Sequence, residues 1–389
     1  MRERPFSIAF WDGTSLESTT EDGPTFTVRS PNAIVHLLRT PGQLGLGRAY
    51  VSGLLEVDDL DACLRLLDTK KLQPLGRAAL VRLAFASLRA CGLVRPPPLP
   101  ASELRPRGLR HSMTRDARAV RHHYDVGNDF FKLFLDSSMT YSCAIFSRGA
   151  TTLEEAQEAK LELACTKLGL KPGQRVLDVG CGWGSFPIHA ASRHGARVLG
   201  ITLSEPQAVL ARQRVAEADL AGQVEIRVMD YRELIGERFD AIVSIGMVEH
   251  VGSSQIDVYA ERLASLLKPG GRLLNHGIAR LRHRDPEAGQ FSNRFVFPDA
   301  APLHLARVLL ALERAGFVTD HVEGFREDYI ETLRHWLRRL EDSLRDAVRL
   351  AGPERVRIWR LYLRAACNGF ESGFTSVYQV SCHLAHAND

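Results

Sequence analysis

A glycine-rich turn between an apolar run and a helical segment contains the first residues of this sequence that could support chemistry. Residues 176–184 read VLDVGCGWG, with Asp178 ahead of Gly180 and Gly182. Glycines at such a turn let the backbone pass close to a ligand and enter the next helix sharply. A GxGxG pattern alone is common to many Rossmann-like folds. Asp178 at the strand end favours a ligand with an amine and a sulfonium over a pyrophosphate, which predicts S-adenosylmethionine as the cofactor.

Polar residues follow the next two apolar runs and predict the rest of this cofactor site. The run VLGITLSEPQ offers Thr202, Ser204 and Gln207 and has no carboxylate at its end. Hydroxyl and amide groups can hydrogen-bond ribose hydroxyls in its place. The third run is followed by Asp230 and Tyr231, which could accept an adenine amino group and stack on the base. A solvated acid at the start of a loop is the alternative interpretation of Asp230.

The elements that must position these residues alternate between strands and helices. Five short apolar runs, RVLDVG, RVLGIT, VEIRVMD, FDAIVSIG and RLLNHGI, are separated by helical segments. That alternation predicts a parallel doubly wound sheet of the α/β class. Thr152 and Glu155 are spaced to cap a helix over 153–168 reciprocally. An apolar stripe from Leu333 to Val348 predicts one amphipathic helix over about 326–350.

Length and composition predict two domains joined by a linker. At about 150 residues per domain, the 389 residues exceed a single domain. Residues 1–91 combine short strand and helix patterns and predict a small α+β domain, which we expect to present lipid. Residues 92–114 are rich in proline and arginine and predict an extended linker. Residues 115–389 then form the larger, catalytic domain.

Charge and cysteine usage exclude several classes of protein. Fifty Lys and Arg against 46 Asp and Glu give a net charge of +4, too balanced to predict a nucleic acid partner. The sequence contains no run of 18 apolar residues and no export signal, so we expect a cytoplasmic protein. Seven cysteines without CxxC pairs or zinc spacing predict reduced thiols and no metal site.

A basic segment runs from Arg77 to Arg121. It contains ten arginines and two acids in a chain that is otherwise nearly neutral. Arginines beside an apolar helix favour binding to an anionic lipid surface, at about 1 kcal/mol per charge. A solvated basic face is the alternative interpretation.

Four segments that include these motifs resemble the cyclopropane-fatty-acyl-phospholipid synthase family, which also includes the mycolic acid cyclopropane synthases and methyltransferases. They are RHHYDVGNDFFKLFLDSSMTYSCAIF at 121–146, AKLELACTKLGLKPGQRVLDVGCGWG at 159–184, GITLSEPQ at 200–207 and GMVEHVG at 246–252. The resemblance extends over about 115–387. It implies a doubly wound, Rossmann-like class I methyltransferase domain with a smaller N-terminal domain. The N-terminal part is similar to that of the bacterial phospholipid synthases, which favours membrane phospholipid as the substrate.

The resemblance also implies roles for individual residues. Tyr141 and Ser142 of the YSCA motif contact the cofactor, and Thr202 and Gln207 bind its ribose. A bound bicarbonate is surrounded by four side chains and one backbone group, which are Cys143, Glu249, His276 and Tyr329 and the backbone of Ile278. We therefore expect S-adenosylmethionine and bicarbonate as cofactors. A homodimer is likewise expected from the family.

The implied reaction adds a methylene to a cis double bond of an unsaturated phospholipid acyl chain. A cis-alkene is a weak nucleophile, so the enzyme must align it with the sulfonium methyl, where positioning can supply about 7 to 11 kcal/mol. Methyl transfer leaves a carbocation. Ring closure then needs a base within about 3 Å of the new methyl, in a site that excludes water. Bicarbonate held by Glu249, His276 and Tyr329 can be that base.

Two departures from the family pattern keep other products open. Ile145 stands where the family usually has an aromatic residue, and Asn275 and Gly277 flank His276 where the usual pattern is closer to LLHTI. A looser pocket could let the carbocation undergo a hydride shift and give a methylene- or methyl-branched chain. A non-catalytic lipid-binding relative and a methyltransferase of a soluble small molecule are further hypotheses. We expect the ring-closing enzyme, peripherally associated with the inner face of the membrane.

Overall fold

The contacts of the chain, taken from a computed structural model, divide it into two compact units. The structure describes residues 3–20, 23–68, 76, 78, 81–82, 85, 96–105, 108–124, 126–282 and 289–385. Most of the basic apolar segment over 77–95 lies outside the described residues. The first unit comprises Met1–Arg105, Gly289–Val296 and Leu344–Asn368, and the second comprises Pro106–Ala288, Phe297–Ser343 and Gly369–Asp389.

The first unit contains a small mixed sheet. Its neighbouring strands β1 and β3 are parallel, and the pairs β1 with β2 and β3 with β4 are antiparallel. Small and branched side chains form its core, including Val28, Ala33, Ala49 and Leu55. The described N-terminal residues therefore combine strands and helices, as predicted. The elements are β1 (Ser7–Phe10), β2 (Ser15–Leu16), β3 (Thr25–Val28), α1 (Asn32–Arg39), α2 (Gln43–Val51), β4 (Leu55–Val57) and α3 (Leu60–Asp68).

The second unit is built on a seven-stranded sheet. The strands are β5 (Arg175–Val179), β6 (Arg197–Thr202), β7 (Val224–Val228), β8 (Phe239–Ile245), β9 (Leu267–Arg280), β10 (Phe317–Gly324) and β11 (Thr375–Leu384), in the order β10-β11-β9-β8-β5-β6-β7. The strands from β9 to β7 in this order run parallel, whereas β11 is antiparallel to both of its neighbours. The predicted doubly wound α/β sheet is confirmed. The reversed strand β11 was not predicted.

The helices from Met113 onwards lie before and between these strands along the chain. They are α4 (Met113–Tyr124), α5 (Asn128–Lys132), α6 (Leu153–Leu168), α7 (Ser185–His194), α8 (Glu205–Glu217), α9 (Ile256–Leu266), α10 (Gln290–Phe295), α11 (Leu305–Arg314), α12 (Arg326–Asp342) and α13 (Leu344–Glu371). The predicted capping box of α6 is confirmed, because the Glu155 amide donates to Thr152 Oγ1 at 3.2 Å and the Thr152 amide donates to Glu155 Oε2 at 3.1 Å. Within the described ranges, no helix is long and apolar enough to cross a bilayer.

The single helix predicted over 326–350 is two helices. α12 ends at Asp342, and α13 begins at Leu344 and is interrupted at Gly352, whose φ and ψ are 77° and 160°. Residues 344–368 belong to the first unit, although they lie within the range 115–389 that the sequence assigned to one catalytic domain. A periodic apolar stripe predicts that a segment is helical, but it does not identify the core that receives the apolar face.

The strand order places one edge of the second unit where ligands bind in doubly wound sheets. β5 lies between β8 and β6, and the chain winds away from it in both directions. Ligands of such sheets bind outside the carboxyl ends of the strands at this switch point. Asp178 lies near the end of β5, Thr202 ends β6, and Asp230 and Glu249 follow β7 and β8. The topology therefore gathers the predicted site residues at one edge.

Candidate functional site

One cavity at the carboxyl edge of β5, β6 and β7 is lined by the residues predicted to contact the cofactor. All nine of them line it: Tyr141, Ser142, Asp178, Gly180, Gly182, Thr202, Gln207, Asp230 and Tyr231. They come from four separate stretches of the second unit, so the fold has gathered side chains that are far apart in sequence. Their individual contacts with a bound cofactor stay predictions.

The glycine loop of this cavity has a conformation and a packing that larger residues would disturb. Gly180 and Gly182 have φ of 88° and 53°, in the left-handed region that glycine adopts without strain. A Cβ at Gly200, on the adjoining strand β6, would lie 2.9 Å from Cβ of Cys181. The loop therefore packs directly against β6. Helix α7 begins immediately after the loop, at Ser185.

Asp178 is a buried carboxyl group that interacts with a buried lysine. Burial raises the pKa of Asp178 to about 7, and the charge of Lys160 acts in the opposite direction. Lys160 Nζ donates to Ser142 Oγ at 3.0 Å and lines the same cavity. Sequence reasoning missed Lys160, although its position four residues after Ala156 and four before Ala164 puts it on the apolar face of α6. These groups set the charge of the cavity wall.

The polar residues after β6 are held by one another and by helix α8. Thr202 Oγ1 donates to Gln207 Oε1 at 2.8 Å, and both residues line the cavity. Ser204 is the N-cap of α8, and its Oγ accepts from the Gln207 amide at 3.4 Å. Ser204 does not line the cavity. Thr202 and Gln207 therefore remain the ribose candidates, and Ser204 caps the helix that carries Gln207.

Asp230, the predicted acceptor for an adenine amino group, already binds Arg232. The guanidinium donates from Nε to Oδ1 at 2.8 Å and from Nη2 to Oδ2 at 2.7 Å, and it also reaches Asp116. A carboxylate has about four acceptor positions, so capacity for a further donor remains. The interpretation of Asp230 as a solvated loop acid is wrong, because its side chain is buried.

Glu249 is a second buried carboxyl group at the same edge of the sheet. Its Oε1 accepts from the backbone amide of Ile278 at 3.1 Å, so the two residues meet as an acceptor and a donor. Burial raises the pKa of Glu249 to about 7, and this amide lowers it. Its Oε2 is buried and has no hydrogen-bond partner within the described ranges. Such an atom is available to a polar ligand.

His276 is fixed in one neutral tautomer by two residues that the sequence did not indicate. Lys167 Nζ donates to Gln379 Oε1 at 2.7 Å, so the amide nitrogen of Gln379 is the atom 3.1 Å from His276 Nδ1. Nδ1 accepts this bond, and the imidazole proton is therefore on Nε2. Burial lowers the pKa of His276 to about 3, so the ring is neutral at pH 7. Its Nε2 is buried without a hydrogen-bond partner among the described residues.

Phe325 contacts three of the residues predicted to surround bicarbonate. Its carbonyl oxygen accepts from Cys143 Sγ at 3.7 Å and from the backbone amide of Tyr329 at 3.0 Å. Its ring is nearly parallel to that of His276, with the centroids 6.4 Å apart. Burial raises the pKa of the Cys143 thiol well above its ordinary value, so the thiol is protonated. The predicted set thus forms two groups, Glu249 with Ile278 and the other three around Phe325.

The positions that depart from the family pattern are buried and packed. Ile145 is fully buried, and its backbone amide donates to the Ala156 carbonyl at 2.9 Å. Asn275 Oδ1 accepts from the hydroxyl of Tyr259 at 2.9 Å. Val248 occupies the space that a side chain at Gly277 would need. This packing argues against a looser pocket at these positions.

Gly277→Ala is expected to lower kcat at least tenfold and to leave cofactor affinity unchanged. The new Cβ would overlap Val248 Cγ1 and lie 3.4 Å from Glu249 Oε2. A displacement of about 1 Å in a reacting site can cost roughly a hundredfold in rate. Gly222→Ala is the matched control, because a Cβ there meets nothing within 4 Å. Steady-state kinetics of both variants test the prediction, and an unchanged kcat in Gly277→Ala would contradict it.

The fold and the cavity together define the class of this protein. The reversed strand β11 pairs between β9 and β10, and the other six strands of the sheet share one direction. The strand β5 carries an acid near its end and is followed by a glycine loop, and polar residues lie at the ends of β6 and β7. These are the features of a class I S-adenosylmethionine-dependent methyltransferase.

Comparison with known proteins identifies the family within this class. Residues 111–380 match the mycolic acid cyclopropane synthetase family. A probable fatty acid methyltransferase of Mycobacterium tuberculosis is 38% identical over 97% of this chain and 91% of its own. The cyclopropane-fatty-acyl-phospholipid synthase of Escherichia coli is 34% identical over 91% of this chain and 86% of its own. The crystal structure of a mycolic acid cyclopropane synthase complexed with SAH and CTAB, 34% identical, covers 69% of this chain and 98% of its own with a TM-score of 0.66. The chain belongs to the mycolic acid cyclopropane synthetase family.

Proposed function

We propose that the protein transfers the methyl group of S-adenosylmethionine to a cis double bond of an unsaturated phospholipid acyl chain and closes a cyclopropane ring. The proposal rests on two buried polar atoms, Glu249 Oε2 and His276 Nε2, that have no hydrogen-bond partner within the described part of the chain. Ring closure needs a base because a proton must leave the transferred methyl. Buried polar atoms near the methyl-donor cavity can hold such a base.

The lining of the cavity fits S-adenosylmethionine, which supplies an electrophilic methyl group when bound. Asp178 offers a buried acceptor for the ammonium group. Thr202 and Gln207 offer hydroxyl and amide groups for the ribose, and Asp230 offers an acceptor for the adenine amino group. No nucleophilic side chain is required, because the alkene itself attacks the methyl. The cavity residues therefore bind and align.

Bicarbonate fits the residues that were predicted to surround it, which are Cys143, Glu249, His276 and Tyr329. It carries both an O–H donor and acceptor oxygens, which suit the acceptor Oε2 of Glu249 and the donor Nε2–H of His276. The neutral Cys143 thiol is a further weak donor, and Tyr329 completes the set expected from the family. Because the Ile278 amide already donates to Glu249, its role here is to hold that carboxylate. Bicarbonate bound there would supply the base.

A fatty-acyl C-methyltransferase that gives a methyl- or methylene-branched chain is the second candidate function. The name of the M. tuberculosis relative, a probable fatty acid methyltransferase, favours it. The packed surroundings of Ile145 and Gly277 favour ring closure. A hydride shift requires space around the carbocation and must occur before the proton is removed. The two candidates share the methyl transfer and differ only in the fate of the carbocation.

Gln379→Leu is expected to lower kcat about tenfold through the loss of the His276 tautomer. The leucine cannot donate to Nδ1, so the imidazole proton is no longer confined to Nε2. Nitrogen chemical shifts of the labelled imidazole should move towards a mixture of tautomers, and cofactor affinity should stay the same. Gln379→Glu, which can still accept from Lys167, separates the two hydrogen bonds. Unchanged imidazole shifts in Gln379→Leu would show that Gln379 does not position the ring.

We also infer that a basic and apolar surface of the second unit contacts the membrane. Leu109 and Met113 are 83% and 45% exposed, and Arg118 and Arg121 on α4 are exposed. Arginines near an anionic surface contribute about 1 kcal/mol each, and exposed apolar side chains add to this. The association is peripheral in this proposal. A homodimer stays a prediction.

Arg118→Glu combined with Arg121→Glu is expected to weaken binding to anionic phospholipid vesicles at least tenfold, because two favourable charges become repulsive. Vesicle flotation at low ionic strength measures the partition. The control is Arg193→Glu with Arg212→Glu, which reverses two exposed arginines of α7 and α8. Equal loss in both double variants would assign the binding to net charge and overturn the proposed surface.

The substrate is tested with methyl-labelled S-adenosylmethionine and two lipid presentations. The purified protein is incubated with vesicles of cis-monounsaturated phospholipid and, separately, with the free cis-monounsaturated fatty acid. The proposal predicts label in the phospholipid acyl chains. Label in the free fatty acid alone would overturn the phospholipid assignment, and label in neither would overturn the proposed function.

A further inference from the structure

A cluster of metal-binding side chains lies between two helices of the second unit, and the reaction does not use it. Cys165 on α6 and His189 and His194 on α7 each bring one ligand atom to within 4.8 Å of the other two. The carboxylate of Glu162, one turn before Cys165, accepts at Oε2 from Nε2 of both histidines at 3.1 Å. Four residues of metal-ligating type therefore converge on one point.

We propose that this cluster binds one zinc ion and clamps α6 to α7. A thiolate and two imidazoles bind zinc in preference to harder cations, and carboxylates can complete its tetrahedral coordination. Glu162 already stands where it can be the fourth ligand, or can orient the two imidazoles by accepting their free N–H groups. Zinc bonds are about 2.0 to 2.3 Å long, so the ligand atoms must approach by a side-chain adjustment.

One side of the cluster is buried and the other is open to solvent, so a metal ion can enter it from solvent. Cys165 is fully buried in the apolar contact between α6 and α7, whereas the side chain of Glu162 is 49% exposed. The thiol of Cys165 must lose its proton to bind zinc, and that proton passes to solvent as the sulfur–metal bond forms. The site is closed on one side and open to solvent on the other.

The position of the cluster indicates what the ion would do. Helix α7 begins directly after the glycine loop, at Ser185, and α6 carries Lys160, which lines the cofactor cavity. A metal that joins these helices stabilises the wall of that cavity without touching the reacting atoms. The sequence predicted no metal site because the ligands come from two segments that are not adjacent along the chain, so no zinc spacing is visible.

Metal titrations of the full chain test the inference. The protein is stripped with chelator, titrated with zinc at pH 8 in competition with a chromophoric chelator, and titrated with cobalt as a spectroscopic probe. We expect one ion per chain, a thiolate-to-cobalt charge-transfer band and the visible absorption of tetrahedral cobalt. Saturating zinc should raise the melting temperature by roughly 5 °C, the shift expected for a domain of this size at a hundredfold excess over Kd.

The variants separate this cluster from adventitious binding. Cys165→Ala should abolish the charge-transfer band, and His194→Asn, near the end of α7, should weaken zinc binding at least tenfold with little effect on folding. The matched controls are Cys63→Ala, a thiol on α3, and His335→Asn, which removes a histidine paired with Glu331 on α12. Stoichiometric binding that survives both cluster variants, or no binding to the unaltered chain, would overturn the proposal.

Discussion

Glu249→Gln is expected to lower kcat by between about a hundredfold and ten-thousandfold, the range that a positioned acid–base group contributes. The substitution keeps the size of the side chain and the acceptor for the Ile278 amide, but it removes the carboxylate. Whether Glu249 holds a base or is one, proton removal from the transferred methyl then fails. Kinetics at pH 8 are appropriate because the pKa of Glu249 is raised to about 7 by burial, so most of the carboxyl groups are ionised there.

The affinity for S-adenosylmethionine separates this role from a structural one. Glu249 does not line the cofactor cavity, so the dissociation constant of the variant should change less than threefold. Glu261→Gln is the matched control, because Glu261 is an exposed acid on α9 of the same unit. A near-normal kcat of the Glu249→Gln enzyme would show that Glu249 takes no part in the reaction. A parallel loss of kcat and of cofactor affinity would indicate a distorted edge of the sheet.

Asp178→Asn is expected to weaken S-adenosylmethionine binding between about tenfold and 150-fold. A hydrogen bond to a charged group contributes roughly 1.5 to 3 kcal/mol, and the uncharged amide loses that charge-assisted contact with the cofactor ammonium. Burial lowers the pKa of Lys160 to about 8, and Asp136 and Asp178 are among the groups that raise it, so the substitution also changes the charge of the cavity wall. Calorimetric titration with the cofactor measures the effect directly.

Two further variants show whether the loss of S-adenosylmethionine affinity is specific to Asp178. Asp240→Asn changes an aspartate of the neighbouring strand β8 that pairs with Lys268 outside the cavity, so it should bind cofactor normally. Ser142→Ala removes the hydroxyl that accepts from Lys160, and we expect it to weaken binding by a smaller factor. Equal affinities for Asp178→Asn and the unaltered chain would contradict the position of the ammonium group beside β5.

Sequence patterns predicted part of the cavity lining because those residues lie at the ends of strands. Asp178, Thr202 and Asp230 each lie at or just after the carboxyl end of a short apolar run, and parallel strands bring such ends together at one edge. The capping box at Thr152 is equally local, since two residues three positions apart, Thr152 and Glu155, form it. The family resemblance supplied the expected roles of Cys143 and His276, which spacing alone does not indicate.

The residues that sequence reasoning missed act through contacts between distant segments. Gln379 lies on the reversed strand β11, opposite His276 in register, and nothing in the local pattern indicates that pairing. Phe325 acts through its backbone carbonyl, which carries no sequence signal. The break between α12 and α13 was missed because the apolar stripe continues through it while the chain passes to another core. These features depend on tertiary contacts, which the hydrophobic periodicity of the sequence does not reveal.

The fate of the transferred methyl tests ring closure most directly. The protein is incubated with cis-monounsaturated phospholipid vesicles and S-adenosylmethionine whose methyl carries three deuterons, and the acyl chains are analysed by mass spectrometry after derivatisation. Removal of one proton equivalent from the methyl predicts a saturated cyclopropane that keeps two deuterons, and Glu249→Gln should abolish it. A methyl branch that keeps all three deuterons, or a methylene branch that reacts as an alkene, would contradict ring closure.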